Sequence, residues 1–338
     1  MSENSAASSL RLCELVEEFS RRRICVVGDA VADQFLYGEI SRVSREAPVL
    51  ILRHERTETL PGGAANCAMN ARALGAEVKL IGVIGTDEPG GAMRGKLRAA
   101  GVDCHGLIEA KQFRTTTKMR ILAGQAHSLR QQVIRVDFGD EETRDRNFAE
   151  QIGERLREAL EAADAVIISD YNYGVINEDV VSMLREAATE RKLPVLVDSR
   201  FRLPHFHNFL SATPNEDEVE HVCGKRLKDA HTLETSGEEL RQRLNFNSLL
   251  VTRGRHGMLL LEENQAPQHI EAVGSQEAID VTGAGDTVIA TYTLALASGA
   301  SFLEAAHLAN HAGGIAVMKR GTATVSAEEL IISVQNKG

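Results

Sequence analysis

Several residue types that mark specialised classes of protein are scarce in this chain of 338 residues. The five cysteines are odd in number and form no Cys-x-x-Cys pair, which argues against a disulfide framework or a zinc ribbon and indicates reduced thiols in a cytoplasmic protein. Basic residues number 38 against 48 acidic ones, and the net charge of -10 argues against nucleic acid as a partner. The apolar runs are far shorter than a membrane span and the N-terminus lacks a signal segment, so we expect neither membrane association nor export.

What the chain does contain is an alternation of short apolar runs with amphipathic stretches. Its composition, 43% hydrophobic and 25% charged, is typical of a globular protein. The runs that predict buried strands lie at 24–29, 79–85, 165–170, 195–198 and 249–253. Helical spacing of apolar residues separates them. This order predicts an α/β fold, with a doubly wound, mostly parallel sheet over residues 23–338 that follows an N-terminal extension at 1–22.

Two stretches interrupt the alternation, at about residues 34–60 and 113–138. Both lack a helical period and mix β-branched with polar residues, so we predict that they form a small second sheet inserted between units of the main one. A small inserted sheet suits a lid over a binding site or a contact between subunits.

The most informative motif is Asp280-Val281-Thr282-Gly283-Ala284-Gly285-Asp286-Thr287, which precedes a long apolar stretch. Small residues directly before a helix let backbone N–H groups converge on an anion at the positive end of that helix. Asp286 lies beside this anion hole, where a carboxylate can accept the proton of a hydroxyl that attacks a phosphoryl group. The alternative is a tight turn with Asp286 as a helix-capping residue.

A second motif, Pro61-Gly62-Gly63-Ala64-Ala65-Asn66, opens a predicted helix that ends at Gly75. Paired glycines let a ligand approach the backbone, and the Asn66 amide supplies both a donor and an acceptor. This combination suits a polyhydroxylated substrate. Taken alone, the motif is equally compatible with a flexible turn at a helix N-terminus.

In this order and at this separation, the two motifs make the chain resemble the PfkB/ribokinase family of carbohydrate kinases over about residues 23–332. The resemblance implies a ribokinase-like fold with a small β lid and a kinase that uses ATP and Mg²⁺. It also implies that Asp286 is the catalytic base and that the amides of Gly283, Ala284 and Gly285 form the anion hole.

The same resemblance assigns binding residues on both sides of the cleft. Sugar contacts are implied for Asp33, Gly62, Gly63 and Asn66. Contacts with the nucleotide are implied for Asn215, Glu218, Thr252, Arg253, Gly254, Gly257 and Asn310. Asn215 and Glu218 would hold Mg²⁺ through water, although a capped helix start explains the same pair. Residues 252–257 fit a plain hairpin turn equally well.

Two further properties follow from the family alone. Relatives bind a monovalent cation near the positions of Asp280 and Thr282, so the resemblance is compatible with a K⁺ site at these two residues in this chain. Lid strands often pair between subunits in the family, so we expect a homodimer formed through the lid.

Within the family, segments that include Ser41-Arg42-Val43-Ser44, Thr117-Lys118-Met119-Arg120 and Ser169-Asp170-Tyr171 make the chain resemble the D-glycero-β-D-manno-heptose-7-phosphate kinases. These kinases form one half of the bifunctional heptose kinase/adenylyltransferases. This likeness implies substrate contacts for Arg42, Lys118, Arg120 and Asp170, with the three cations clamping a sugar phosphate. A solvated basic face of the lid is the alternative. The chain departs from these kinases at Tyr173, where they typically have lysine, and at Ser199-Arg200, where they have Pro-Lys.

We therefore predict phosphorylation of the anomeric hydroxyl of D-glycero-β-D-manno-heptose 7-phosphate, a step toward lipopolysaccharide precursors. A kinase of the same family that acts on another sugar, sugar phosphate or nucleoside is the alternative. A sensor that kept the fold without the chemistry is disfavoured by the intact Gly-Ala-Gly-Asp motif. An oxidoreductase is disfavoured because no Gly-x-Gly-x-x-Gly follows a strand.

Overall fold

The computed structural model describes residues 3–124, 130–139, 148–274 and 277–337. The strands are β1 (Arg23–Gly28), β2 (Ala30–Val43), β3 (Leu50–Gly63), β4 (Glu77–Gly85), β5 (Leu107–Ala110), β6 (Thr117–Gly124), β7 (Gln131–Phe138), β8 (Ala165–Asp170), β9 (Val195–Ser199), β10 (Ser211–Ala212), β11 (Ser248–Thr252), β12 (Met258–Glu262) and β13 (Gln268–Ile270). The helices are α1 (Glu3–Glu17), α2 (Ala64–Ala73), α3 (Glu88–Ala99), α4 (Ala149–Ala162), α5 (Glu178–Glu190), α6 (Glu216–Cys223), α7 (Ala230–Leu244), α8 (Ala284–Ala297), α9 (Phe302–Ala316) and α10 (Ala327–Lys337).

The main sheet has the strand order β13-β12-β11-β10-β9-β8-β1-β4-β5. Neighbours from β5 to β11 pair in parallel, whereas β12 and β13 are antiparallel. Successive side chains of a strand point to opposite faces. In β1, Ile24 and Val26 therefore join a core with α1, α2, α3, α8, α9 and α10, and Cys25 and Val27 join a second core with α4, α5, α6 and α7. The predicted doubly wound, mostly parallel sheet is confirmed.

A second, smaller sheet has the order β3-β2-β6-β7. Its strands occupy both stretches in which we predicted lid strands, of which residues 125–129 lie outside the described part of the chain. Asp29 alone separates β1 from β2, and β3 runs directly into α2. The second sheet is therefore attached at the carboxyl end of β1, an inner strand of the main sheet, and parallel α/β sheets place their ligand crevice at this end of their strands.

The segment that precedes residue 23 is part of the main body of the protein. Helix α1 packs against α10, and Leu12, Leu15, Val16 and Phe19 are buried in the same core as the main sheet. Residues 10–22, which we described from the sequence as part of an extension, therefore contribute to the core.

Two absences predicted from the sequence concern membranes and disulfides. Across the described helices, none has both the length and the apolar character to cross a membrane. All five cysteines are free thiols, and Cys25, Cys67 and Cys104 are buried.

Candidate active site

The Gly-Ala-Gly-Asp motif forms the start of α8. Gly283 is the N-cap residue and has a φ of 77°, in the left-handed region that glycine adopts readily. The Ala284 amide donates to the carbonyl of Val281 at 3.3 Å and closes a turn. Of the three amides predicted to form the anion hole, Ala284 is therefore engaged within the turn, while Gly283 and Gly285 flank it at the positive end of the helix.

Asp286 follows in the first turn of α8, and only 3% of its surface is exposed. Its Oδ2 accepts a hydrogen bond from Nδ2 of Asn66 at 2.7 Å, and its Oδ1 accepts one from the hydroxyl of Tyr171 at 3.1 Å. Burial raises the pKa of Asp286 to about 7, against the effect of these two bonds, which favour the carboxylate. An acid with this pKa can take up and release a proton near neutral pH.

Asn66 is held in place by a chain of buried amides and hydroxyls. Nδ2 of Asn70, one turn further along α2, donates to the backbone carbonyl of Asn66 at 3.0 Å and to its Oδ1 at 3.3 Å. The hydroxyl of Thr287 donates to Oδ1 of Asn70 at 3.0 Å. This network ties α2 to α8, so the two sequence motifs meet at Asp286.

Tyr171 is a site residue that the sequence did not reveal as a partner of Asp286. It follows β8 and is partly buried. Loss of water around the phenol raises the pKa of the hydroxyl well above its ordinary value, and the nearby charge of Asp286 acts in the same direction. The hydroxyl therefore stays protonated and acts as a hydrogen-bond donor. The only signal in the sequence was the segment Ser169-Asp170-Tyr171, which carries no indication of which residue Tyr171 contacts.

The sugar side of the cleft contains a buried acid and two cations from the second sheet. Lys118 on β6 pairs in register with Asp33 on β2, and Arg120 forms a salt bridge with the Asp33 carboxylate. Nζ of Lys118 lies 4.9 Å from the ring centroid of Tyr171, and burial lowers the pKa of this ammonium, an effect that Asp33 opposes. At Gly62 a Cβ atom would stand 2.3 Å from Oδ2 of Asp33, so glycine leaves room for this carboxylate.

Two of the predicted substrate residues, Arg42 and Asp170, do not contact the group formed by Asp33, Lys118 and Arg120 in this structure. Arg42 is exposed and stands about 30 Å further along β2 than Asp33, at roughly 3.3 Å per residue. The Asp170 carboxylate is buried and accepts hydrogen bonds from the Ser199 hydroxyl at 2.7 Å and the Asn172 amide at 3.2 Å. Its other neighbour is Arg202, at 3.7 Å. These contacts favour a structural role for Asp170.

On the other side of Gly285, a cavity of about 190 Å³ lies between β12, α8 and α9. It brings together four residues that the sequence assigned to the nucleotide, namely Thr252, Gly254, Gly257 and Asn310. Apolar side chains complete the walls, among them Met258, Val273, Val281 and Val288. An apolar slot that ends at the positive end of α8 has the shape and polarity for a purine whose phosphates point toward Gly285.

Arg253, the neighbour of these residues, does not line the cavity. Its Nε donates to Oε1 of Glu216 at 2.8 Å, and its Nη1 lies 3.3 Å from Nδ1 of His269. The guanidinium is therefore engaged at the outer side of the loop.

The predicted metal residues Asn215 and Glu218 form the capping box of α6, since each side chain bonds the backbone N–H of the other. Asp198, near the end of β9, is a second acid of this region, for which the sequence predicted no role. Burial raises its pKa well above the ordinary value, and the charges of Glu218 and Asp286 add to the effect. Throughout the described ranges, no cluster of three or more His, Cys, Asp or Glu side chains could bind a metal directly.

Asp280, one of the two residues near the predicted monovalent cation, braces the loop before α8. Its Oδ1 accepts from the Thr282 amide and its Oδ2 from the Gly321 amide, both at 2.9 Å. Although burial opposes it, these two bonds lower the pKa of Asp280. A K⁺ ion at this position stays a prediction.

Curated proteins with similar sequences are bifunctional. The chain is 41% identical to the bifunctional protein HldE of Nitrosococcus oceani, 42% identical to that of Aeromonas hydrophila and 40% identical to that of Pseudomonas aeruginosa. These matches cover 92%, 93% and 94% of this chain, but 64%, 64% and 65% of the relatives. The chain thus spans somewhat less than two thirds of the length of these proteins.

Solved structures with much lower identity share the fold. Arabidopsis thaliana ribokinase, solved with ribose and ATP, matches with a TM-score of 0.75 at 19% identity and covers 93% of this chain and 99% of its own. Phosphofructokinase-2 from Escherichia coli matches with a TM-score of 0.76 at the same identity and coverage. The predicted ribokinase-like fold is confirmed. The model of the pfkB family of carbohydrate kinases matches residues 21–330, and the chain therefore belongs to this family.

Proposed function

We propose that this carbohydrate kinase transfers the γ-phosphoryl group of ATP to a sugar hydroxyl with Asp286 as the general base. The observation that carries the proposal is the position of Asp286, buried at the start of α8 beside both the cavity at Gly285 and the group formed by Asp33 and Lys118. The acceptor hydroxyl gives its proton to Asp286 as its oxygen bonds to the γ-phosphorus and the bond to ADP breaks. Backbone amides at the start of α8 stabilise the charge of the transferred group.

ATP brings Mg²⁺, and the acids opposite α8 fit that ion. Asp198 and Glu218 offer carboxylate oxygens. Burial and, after it, the charge of Glu218 raise the pKa of Asp198, and a divalent cation would relieve the repulsion between the two acids. We propose that Glu218 and Asn215 hold Mg²⁺ through water, with Asp198 nearby. The ion, when bound, would neutralise phosphate charge. We place the reaction in the cytoplasm, where ATP is available and the five free thiols stay reduced.

For the acceptor we propose D-glycero-β-D-manno-heptose 7-phosphate, phosphorylated at its anomeric hydroxyl. The similarity to HldE proteins supports a heptose, and Lys118 and Arg120 supply positive charge on the sugar side. Arg200 stands close enough to Lys118 to affect its pKa, together with burial and Asp33. We infer that Arg200, which stands where related kinases have the lysine of Pro-Lys, keeps a cation on this side of the cleft although Tyr173 replaces the other lysine.

The first test compares heptose 7-phosphate with the free heptose in the wild-type enzyme and in Lys118→Met. Loss of a charge-assisted contact is expected to lower kcat/KM for the phosphorylated sugar about 10- to 100-fold, because such bonds contribute about 1.5–3 kcal/mol. Turnover of the free sugar is expected to change far less. The ratio of kcat/KM for the phosphorylated sugar to kcat/KM for the free sugar is the quantity to compare, because any effect of Lys118 on Asp286 acts on both substrates and cancels.

The matched control is Lys79→Met, which removes a partly exposed lysine that pairs with Glu158 near the amino end of β4, away from the carboxyl ends of the strands. It is expected to leave the ratio unchanged. If the wild-type enzyme prefers an unphosphorylated sugar or a nucleoside, the heptose 7-phosphate assignment is wrong and the alternative kinase activity is established.

We also propose a homodimer formed through the second sheet. Large apolar side chains are exposed at the far end of the β2–β3 hairpin (Val43, Val49 and Leu50) and on the edge strand β7 (Val133 and Ile134), and exposed apolar surface of this kind supports a protein interface. In such a dimer the far end of β2, with Arg42, would lie against the partner subunit.

Sedimentation velocity tests the dimer. Ile134→Glu, at a side chain that is 53% exposed, is expected to shift the enzyme from dimer to monomer at micromolar concentration, because it puts a charge into an apolar contact. Ile332→Glu on α10, where the side chain is 48% exposed, is the control and is expected to leave the dimer intact. A wild-type enzyme that sediments as a monomer would refute the proposal.

A further inference from the structure

Asp29 is a buried carboxylate between β1 and β2 for which the proposed reaction has no use. Only 2% of its surface is exposed. Its side chain accepts three hydrogen bonds from backbone amides of the turn after β8, from Tyr171 at 2.8 Å, Tyr173 at 3.0 Å and Val175 at 3.2 Å. Three donors converging on one carboxylate fix the path of this turn, and with it the start of the Tyr171 side chain.

The backbone of the same residue fixes the start of α2. The carbonyl of Asp29 accepts the amide of Ala64 at 3.0 Å, and its amide donates to the carbonyl of Ser169 at 3.0 Å. The chains pass so closely that a Cβ atom at Gly63 would stand 2.6 Å from the Asp29 carbonyl oxygen. Asn66 lies in the first turn of the helix that is anchored in this way.

The two elements that Asp29 anchors are the ones that bind Asp286. Asn66, from α2, donates to Oδ2, and Tyr171, from the turn after β8, donates to Oδ1. Both oxygens of Asp286 are thus oriented by groups whose positions depend on Asp29, which lies 142 positions from Tyr171 in the chain.

We propose that Tyr171 and Asp29 are positioning residues for Asp286: the Tyr171 hydroxyl keeps Oδ1 ionised and oriented toward the acceptor, and Asp29 holds the turn that carries Tyr171. This inference rests on the proposed role of Asp286 as base. Tyr171 donates throughout the reaction and never takes the proton, which passes from the acceptor hydroxyl to Asp286. The other charged groups that act on this pair are two carboxylates and two cations, namely Asp33, Asp198, Lys118 and Arg200.

The test is Tyr171→Phe, which keeps the ring and removes the donor. Because the lost bond favours the carboxylate, the pKa of Asp286 is expected to rise by about one unit, and the acid limb of the kcat/KM profile should move to higher pH by the same amount. Carboxyl ¹³C NMR, with Asp286→Asn to assign the resonance, measures this pKa without a substrate.

Tyr292→Phe is the matched control. It also removes a hydrogen-bonded phenol hydroxyl, in this case one on α8 that lies 3.0 Å from the Ser248 hydroxyl. It is expected to lower thermal stability without moving the Asp286 resonance. An unchanged resonance in Tyr171→Phe overturns the inference. If the resonance moves but no sugar is phosphorylated, the proposed function fails and the positioning role of Tyr171 is upheld.

The role of Asp29 has its own measurements. Asp29→Asn is expected to lower kcat at least tenfold while the KM for ATP stays within about twofold, because the nucleotide cavity has no contact with this turn. In the wild-type enzyme, the amides of Tyr171, Tyr173 and Val175 are expected to exchange slowly with deuterium, a result that does not depend on whether the variant folds. Fast exchange at these amides, or an unchanged kcat in a folded variant, overturns the role of Asp29.

Discussion

Asp286→Asn is expected to lower kcat by about 10²- to 10⁴-fold while sugar binding changes little. Asparagine has the size of aspartate and can still accept the hydrogen bond that Asn66 donates at 2.7 Å. It cannot take the proton of the acceptor hydroxyl. The loss should therefore fall on turnover, since the interaction that is removed operates in the transition state.

Steady-state release of ADP and calorimetric binding of the sugar separate the two effects. Asp164→Asn, which changes a surface carboxylate paired with Arg23 at the opposite end of β8, serves as the control and should turn over like the wild type. An Asp286→Asn enzyme with normal kcat would place the base elsewhere.

The pH dependence of the same variant follows from the pKa of about 7. The unfolded aspartate has a pKa near 3.9, so the folded state binds the Asp286 proton more tightly, and charging this group costs stability progressively as the pH rises from about 4 to 7. Asp286→Asn removes that cost. Its melting temperature is therefore expected to exceed that of the wild type at pH 8 and to match it below pH 4. Wild-type kcat/KM should fall as the pH drops below 7, where the base becomes protonated.

Gly283→Ala is expected to lower kcat by about 10²-fold and to destabilise the fold. At this position φ is 77°, a conformation that costs an alanine roughly 1–2 kcal/mol. The new Cβ atom would also stand 2.5 Å from Nδ2 of Asn66, so this amide must move. Displacing Asn66 breaks its bond to Asp286 and misplaces the base, and a shift of about 1 Å in a catalytic group can cost that much turnover.

Gly285→Ala distinguishes backbone strain from a general intolerance of the motif. A Cβ atom at Gly285 meets no atom within 4 Å, and the residue lies in the first turn of α8 without a positive φ. Its melting temperature should equal or exceed that of the wild type, because alanine favours the helix. If the melting temperature and kcat of Gly283→Ala equal those of the wild type, the tight contact between Gly283 and Asn66 does not contribute to stability or turnover.

The sequence predicted the main sheet because its strands are continuous apolar runs, which periodicity detects directly. It also located both strand-rich insertions. The sequence pattern could not predict the distances between residues on different strands. Strand alternation indicates the face on which Arg42, Lys118 and Arg120 lie, but only the register of β2 with β6 shows that Arg42 is remote from the other two.

Residues that act through buried hydrogen bonds were the hardest to predict. Tyr171 and Asp29 contact groups far away in the chain, and no local spacing marks a tyrosine or aspartate for such a partner. The likeness to heptose kinases implied a substrate contact for Asp170, whereas in the structure its carboxylate accepts hydrogen bonds from Ser199 and Asn172. The contribution of helix α1 to the core was not predicted for the same reason, because α1 packs against α10, which lies at the other end of the sequence.

The hairpin of β2 and β3 leaves the main body at Asp29 and returns to it at Ala64, and these two residues are joined by one hydrogen bond. The hairpin is therefore anchored at the residue whose carboxylate also holds the turn that carries Tyr171. Substitutions at this anchor are expected to change sugar affinity and turnover together, whereas substitutions at the tip of the hairpin should leave the chemistry untouched.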